Sequence, residues 1–328
     1  MLETLRGGGT AALLGLAVAG ALVGCQPYRA CDPVNESALG ELPTRLSLTG
    51  LYASDGPGDI APEVRSFRPR FELWSDGATK QRWIRLPPGT RIDTSDMDSW
   101  QFPVGTKVWK EFTRDGVRVE TRLLERRPDR WLGLSYIWDA DGSDAIAAPY
   151  GAIDARGTPH DVPASNECDA CHAGRSSHVL GFSAVQLAHE VEDDSLNLDE
   201  LVRLDLVTQA PSAPPEVPGD ETEQAALGYL HANCSHCHHQ ARPKQSGARC
   251  FDPENKVDFL LRAEDRSVSE TNTYRTAIGE CIEPGRPGAS KLVDLVGRRS
   301  RFRQMPPLAT EVVDEAAVAL LRRWIEGL

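Results

Sequence analysis

The chain has 328 residues, a formal net charge of −12 and 40% apolar side chains, the profile of an ordinary globular protein long enough for two compact domains. The acid excess argues against nucleic acid as a partner, which needs a basic surface, and suits steering toward a basic partner protein. Eight cysteines and eight histidines make cysteine spacing the feature to resolve first.

The opening residues do not belong to the fold. Arg6 precedes the small, apolar run Gly8 to Gly24, and "LVGC" (Leu22 to Cys25) follows. This resembles the signal peptide and cleavage site of a bacterial lipoprotein over residues 1–24, with Glu3 as an atypical acid. The run is short and Gly-rich for a retained helix crossing a ~30 Å hydrocarbon core. The resemblance implies an acylated Cys25, a tether over 25–45, and an exported chain in the periplasm or at the outer membrane, held to the membrane through its lipid.

Residues 46–157 are expected to be β-rich. "RFELW", "KQRWIRLP", "SWQFPVGTKVWKEF", "VRVETRLLE" and "RWLGLSYIW" are short runs of aromatic and β-branched residues, separated by turn formers. Thr113 to Gly116 reads as a tight hairpin connection. The spacing predicts a sandwich or half-barrel. Trp74, Trp83, Trp100, Trp109, Trp131 and Trp138 all fall here, and their first role in such a domain is core rather than a glycan-binding platform.

Helical character begins after Pro159, with "GFSAVQLAHEV" and "LDELVRLDLV" in a segment over 158–207. Four prolines in Thr208 to Asp220 mark a linker at 208–218. In the last unit, 219–328, Asp220 with Glu223 predicts a capped helix running to Ala232. At the C-terminus Val313, Ala316, Ala317, Leu320, Leu321, Trp324 and Leu328 recur at helical spacing. Asp314 and Glu315 start that helix and Arg322 and Arg323 end it, each favoured by the helix dipole.

Two pentapeptides carry the chemistry: "CDACH" (Cys168 to His172) and "CSHCH" (Cys234 to His238). Cys-x-x-Cys-His is the attachment signature for c-type haem. Two thiols on one turn form thioethers to the vinyl groups, and the adjacent His supplies the proximal nitrogen to iron. Zinc is the competing reading, but 62 residues separate Cys171 from Cys234, far beyond a zinc-ribbon spacing. The expected cofactors are therefore two haem c groups, with Cys168, Cys171, Cys234 and Cys237 as covalent attachments and His172 and His238 as proximal ligands. Met305, 67 residues after His238, is the expected sixth ligand of the second haem, with Pro306 holding it extended. For the first haem, in segment 158–207, His160 is the leading distal ligand, with His178, His189, a borrowed Met97 or an open iron as the alternatives. His231, His236 and His239 are expected to be surface or packing residues. In an oxidising compartment Cys250 and Cys281, both in the last unit, are the leading disulfide pair, which leaves Cys31 over.

Residues 219–328 resemble a single-haem cytochrome c domain: a helix entering Cys-x-x-Cys-His, a later Met loop and a terminal helix crossing the first. Gly228 would then mark the crossing on the Trp324 face. Most of Leu46 to Leu328 further resembles secreted diheme c-type cytochromes of bacteria, through blocks such as "GTPHDVPASNECDACH", "LGYLHANCSHCH" and "MPPLATEVVD". The resemblance implies a multidomain α+β chain: a sandwich-like β domain followed by mainly helical cytochrome c-type haem modules. Two closed haems make electron transfer between a dehydrogenase-type donor and a downstream acceptor the expected function, with redox proteins as partners, rather than enzymatic turnover. A diheme peroxidase with an open first haem, or a binding module carrying a cytochrome, are the alternatives. No Ser-His-Asp, paired-carboxylate or phosphate-loop arrangement is evident.

Overall fold

The computed structural model describes residues 34–54, 56–242, 256–300, 303–307 and 310–328. The expected leader, the expected lipidation site Cys25, Cys31 and the proposed partner of Cys281, Cys250, lie outside them.

The dominant element is one six-stranded antiparallel meander in sequence order: β1 (Arg65–Ser66), β2 (Thr79–Arg85), β3 (Lys107–Arg114), β4 (Val117–Arg126), β5 (Trp131–Trp138) and β6 (Ala145–Ala147). Four of the five sequence runs contribute the long strands. The turn between β3 and β4 places Asp115 and Gly116 at φ 50° and 77°, two left-handed residues in a row, whose twist matches that of the flanking strands. The sandwich expectation is corrected: the described residues form a single sheet, with irregular segments and the region of the two pentapeptides covering its two faces.

Those faces differ, because residues two apart share a face. Trp109, Leu123, Leu134, Tyr136 and Trp138 pack on one side against Leu46 and Leu51 of the N-terminal segment. The polar atoms of these buried rings are answered, as such rings require. Trp109 Nε1 donates to Thr49 Oγ1 at 3.0 Å, Trp138 Nε1 to Thr121 Oγ1 at 3.1 Å, and the Tyr136 hydroxyl to the Pro43 carbonyl at 2.8 Å. Trp100 joins Phe67 and Phe182 in a separate cluster. These tryptophans are core, as expected.

The expectation of mainly helical modules after the β domain is also corrected. Helices α1 (Glu36–Leu39), α2 (Cys168–His172), α3 (Ala184–Leu187), α4 (Leu198–Arg203), α6 (Asn272–Ala277) and α7 (Lys291–Val296) are six residues or shorter. Among the described residues only α5 (Glu221–Asn233) and α8 (Glu315–Gly327) reach thirteen. Proline, glycine and left-handed residues interrupt the chain too often for longer helices, and side-chain-bonded loops fill the space instead.

The two long helices form as their caps dictate. Asp220 Oδ1 accepts from the Thr222 and Glu223 amides at 2.9 Å, and Glu223 Oε2 accepts from the Asp220 amide at 2.8 Å. Leu227 and Leu230 of α5 pack in one core with Leu321, Trp324 and Ile325 of α8 and with Leu292 and Val296 of α7. Gly228, however, does not face Trp324. A Cβ on it would lie 2.1 Å from the Phe71 ring, so the glycine admits the segment after β1, not the crossing helix.

Candidate functional site

The first pentapeptide forms α2 and lies against the second face of the sheet. Gly133 on β5 makes the room: a Cβ there would be 3.0 Å from Cys168 Sγ and 3.1 Å from Cys168 Cβ. His172 Nδ1 donates to the His178 carbonyl at 2.6 Å, which fixes the ring and leaves Nε2 as its second nitrogen. His178 sits at φ 57°, turning that carbonyl back toward α2, and its ring stacks on Trp131. Burial holds the His172 ring down to about 4, so it is neutral, the form in which imidazole ligates metal.

The second pentapeptide begins at the C-cap of α5. The Cys237 and His238 amides both donate to the Cys234 carbonyl, at 3.1 and 2.8 Å, which winds the motif into a turn. The Phe259 amide donates to the His238 carbonyl at 2.9 Å, and its ring meets the His238 ring edge-on. Asn233, the last residue of α5, holds the loop after β1: its Nδ2 donates to the Glu72 carbonyl at 3.1 Å and its Oδ1 accepts from the Trp74 amide at 2.7 Å. That loop is the run "RFELW", which the sequence pattern reads as a strand. Asp76, at its end, accepts from the Glu311 and Val312 amides at 2.9 and 3.0 Å, so it clamps the segment that follows Met305.

The two pentapeptides touch. A Cβ on Gly174, just past the first motif, would stand 1.9 Å from the His236 carbonyl oxygen. His239 Nε2 donates to the Gly174 carbonyl at 2.6 Å, and Arg242 Nη1 to the His236 carbonyl at 3.1 Å. A hydrogen bond joins the Cys171 and Cys237 side chains, lowering the first thiol and raising the second. Burial pushes the Cys168 and Cys234 thiols up to about 12, which leaves them poor nucleophiles in the free state.

Between the sheet and these motifs lies a cavity of 610 Å³, inside the range of about 300–1,000 Å³ usual for cofactor sites. Cys168, Cys171, His172, Cys234, Cys237 and His238 all line it, as do Met305 and His160. Val108, Leu124, Phe259, Leu292 and Val296 give it apolar walls. Met305 is fixed by its amide donating to the Leu295 carbonyl at 2.9 Å, and the following Met305–Pro306 peptide is cis.

The other residues expected as candidates for a first haem's distal ligand fall elsewhere. Met97 packs at the margin of the Trp100 core. His189 is turned between the Arg68 and Glu190 carbonyls, and the His178 Nδ1 donates to the Ser176 carbonyl. His160 does line the cavity, but its Nε2 is 2.8 Å from Glu120 Oε1. Burial would raise Glu120; Arg122 and His160 outweigh it and hold the carboxyl at about 2. His231 is a packing residue as expected, its Nδ1 accepting from the Leu261 amide at 3.1 Å. His236 was expected to be surface or packing; it is buried and lines the cavity at the seam between the motifs.

The chain matches no family model, no curated protein and no solved structure. The reading of it as a metal-binding cytochrome is corrected at this level. Among the described residues no three His, Cys, Asp or Glu side chains gather as a group able to hold a metal ion. What lines the cavity is a different donor set: paired thiols beside single imidazoles. Such a set suits a macrocycle that brings its own four equatorial nitrogens, since the protein then owes the iron only one or two axial atoms. Among the described residues no helix is long and apolar enough to cross a membrane.

Proposed function

We propose that the chain holds two covalently attached haem groups and relays electrons between an exported dehydrogenase-type donor and a later acceptor protein. One observation carries the reading: two Cys-x-x-Cys-His segments far apart in sequence line a single cavity, together with Met305 and His160. Cys168 and Cys171 would hold one haem and Cys234 and Cys237 the other. When bound, haem supplies reversible one-electron exchange at its iron.

The remaining work falls to the chain. His172 presents a neutral imidazole oriented by the His178 carbonyl, and the His238 ring packs edge-on against Phe259. Met305 would hold the iron of the second haem from its other side, and a thioether there would favour the reduced state. The apolar walls would keep water from the bound groups, and the contact between the two motifs would hold the two attachment sites at a fixed separation. The leader pattern supports a location outside the cytoplasm, tethered through Cys25.

A second reading is favoured by one contact. His160 Nε2 is engaged by Glu120, and an imidazole so occupied suits proton handling above an open iron better than ligation of a closed one. On that reading the first centre turns over a small oxidant, as a peroxidase-like enzyme would.

Two measurements on the purified full-length protein test these readings. Spectroelectrochemical titration should give two reversible one-electron steps per chain, and the absence of any such step refutes the relay. Carbon monoxide added to the reduced protein should leave the spectrum unchanged if both irons are closed; a change equivalent to one haem selects the enzyme reading.

A further inference from the structure

The sheet face that walls the cavity carries a row of charges that the fold alone does not explain. Arg82 on β2 is registered against Lys110 on β3, and Lys110 against Arg122 on β4. Three cations thus stand directly opposite one another across three adjacent strands, an arrangement that destabilises a sheet. All three line the cavity.

Two of them are answered from within the chain. Arg82 Nη1 lies 3.4 Å from Glu72 Oε1, and Arg122 Nε donates to Glu120 Oε2 at 3.0 Å. Lys110 differs. Among the described residues it forms no ion pair, and its ammonium lies 4.8 Å from the centre of the Phe112 ring. The acid whose field reaches it, Glu72, is already shared by Lys80 and Arg82. Burial first, and then Arg82, Lys80 and Arg122, push Lys110 well below the usual lysine range. An ammonium at this place on the cavity wall calls for an anion that the described residues do not supply.

We propose that this row is a carboxylate-binding wall, with Lys110, flanked by Arg82 and Arg122, receiving a propionate carboxylate of the haem attached at Cys168 and Cys171. The inference rests on the haem reading above and gives the β-rich region its part in it. Geometry favours the first haem: Cys168 lies directly over Gly133, which pairs with Leu124, two residues along β4 from Arg122 on the same sheet face. A haem tethered through its vinyl edge carries its two carboxylates on another edge. Bidentate arginine and a point-charge lysine are the groups that recognise such carboxylates.

Resonance Raman spectroscopy of the full-length pigmented protein tests this, because the propionate bending vibration moves with hydrogen bonding to the carboxylate. Lys110→Met should keep both haems attached and shift that band for one haem, and Lys110→Arg should restore it. Arg203→Gln, on the exposed helix α4, should leave it unmoved. Should Lys110→Met not accumulate, Arg82→Gln gives the same reading, since Glu72 keeps Lys80. A band unchanged in pigmented Lys110→Met overturns this inference alone. A wild-type protein without covalent haem overturns both it and the haem reading.

Discussion

Gly174→Ala probes the seam on which the spacing between the two motifs depends. The new methyl would stand 1.9 Å from the His236 carbonyl oxygen, where real Cβ contacts stay above 3.0 Å. The obstacle is backbone, so no rotamer change relieves it, and the two segments must part by about an ångström. Overpacking of this kind costs about 1–3 kcal/mol. Parting the segments also weakens the 2.6 Å bond from His239 to the Gly174 carbonyl, worth roughly 1 kcal/mol net. The expected loss is therefore about 3 kcal/mol in urea unfolding, with the midpoint lowered and the slope unchanged. Gly288→Ala, where a Cβ meets nothing within 4 Å, serves as the control. A Gly174→Ala protein within about 0.5 kcal/mol of wild type, the range of ordinary surface changes, would refute the packed seam.

Gly228→Ala should destabilise by about 1–3 kcal/mol through the Phe71 ring, although alanine is the better helix former by about 1 kcal/mol; adding Phe71→Leu should recover part of the loss in the same assay. Burial of His231 lowers it to about 3, so the unfolded chain takes up a proton that the folded one refuses. Its contribution is intact above the unfolded value of 6.5 and declines as pH falls from there toward 3. Wild type should lose stability across that window faster than His231→Gln, by up to about 1.4 kcal/mol per pH unit, and equal slopes would count against a buried neutral ring. Met305→His should lower the reduction potential of one haem and leave the other in place, whereas movement of both or neither would remove Met305 from the second site.

The long strands and both long helices were legible because their signals are local. The Asp115–Gly116 turn, the Asp220/Glu223 capping box and the periodic face of α8 each act within a few residues. Even there the detail shifted, since Ala316 lies on the exposed side of α8 while Ala317, Leu321 and Trp324 face the core. The two pentapeptides and Met305 were legible as chemistry, and the structure brings them to one cavity.

Non-local arrangements were not legible. "RFELW" has the composition of a strand, yet Asn233, 159 residues from Trp74, draws it out as a cavity loop. Gly228 faces Phe71 and not Trp324, because a glycine shows that something approaches closely without showing what. The sandwich and the helical modules failed for a related reason: composition indicates element type, but the layer that covers each sheet face is a tertiary choice. The cation row emerges only once the register of β2, β3 and β4 aligns residues distant in sequence.

Mass spectrometry of tryptic peptides from the exported, full-length protein tests the central claim most directly. The peptides containing Cys168 to His172 and Cys234 to His238 should each carry the mass of one haem, retained after acidified acetone. Recovery of both peptides with free or alkylatable thiols would contradict it.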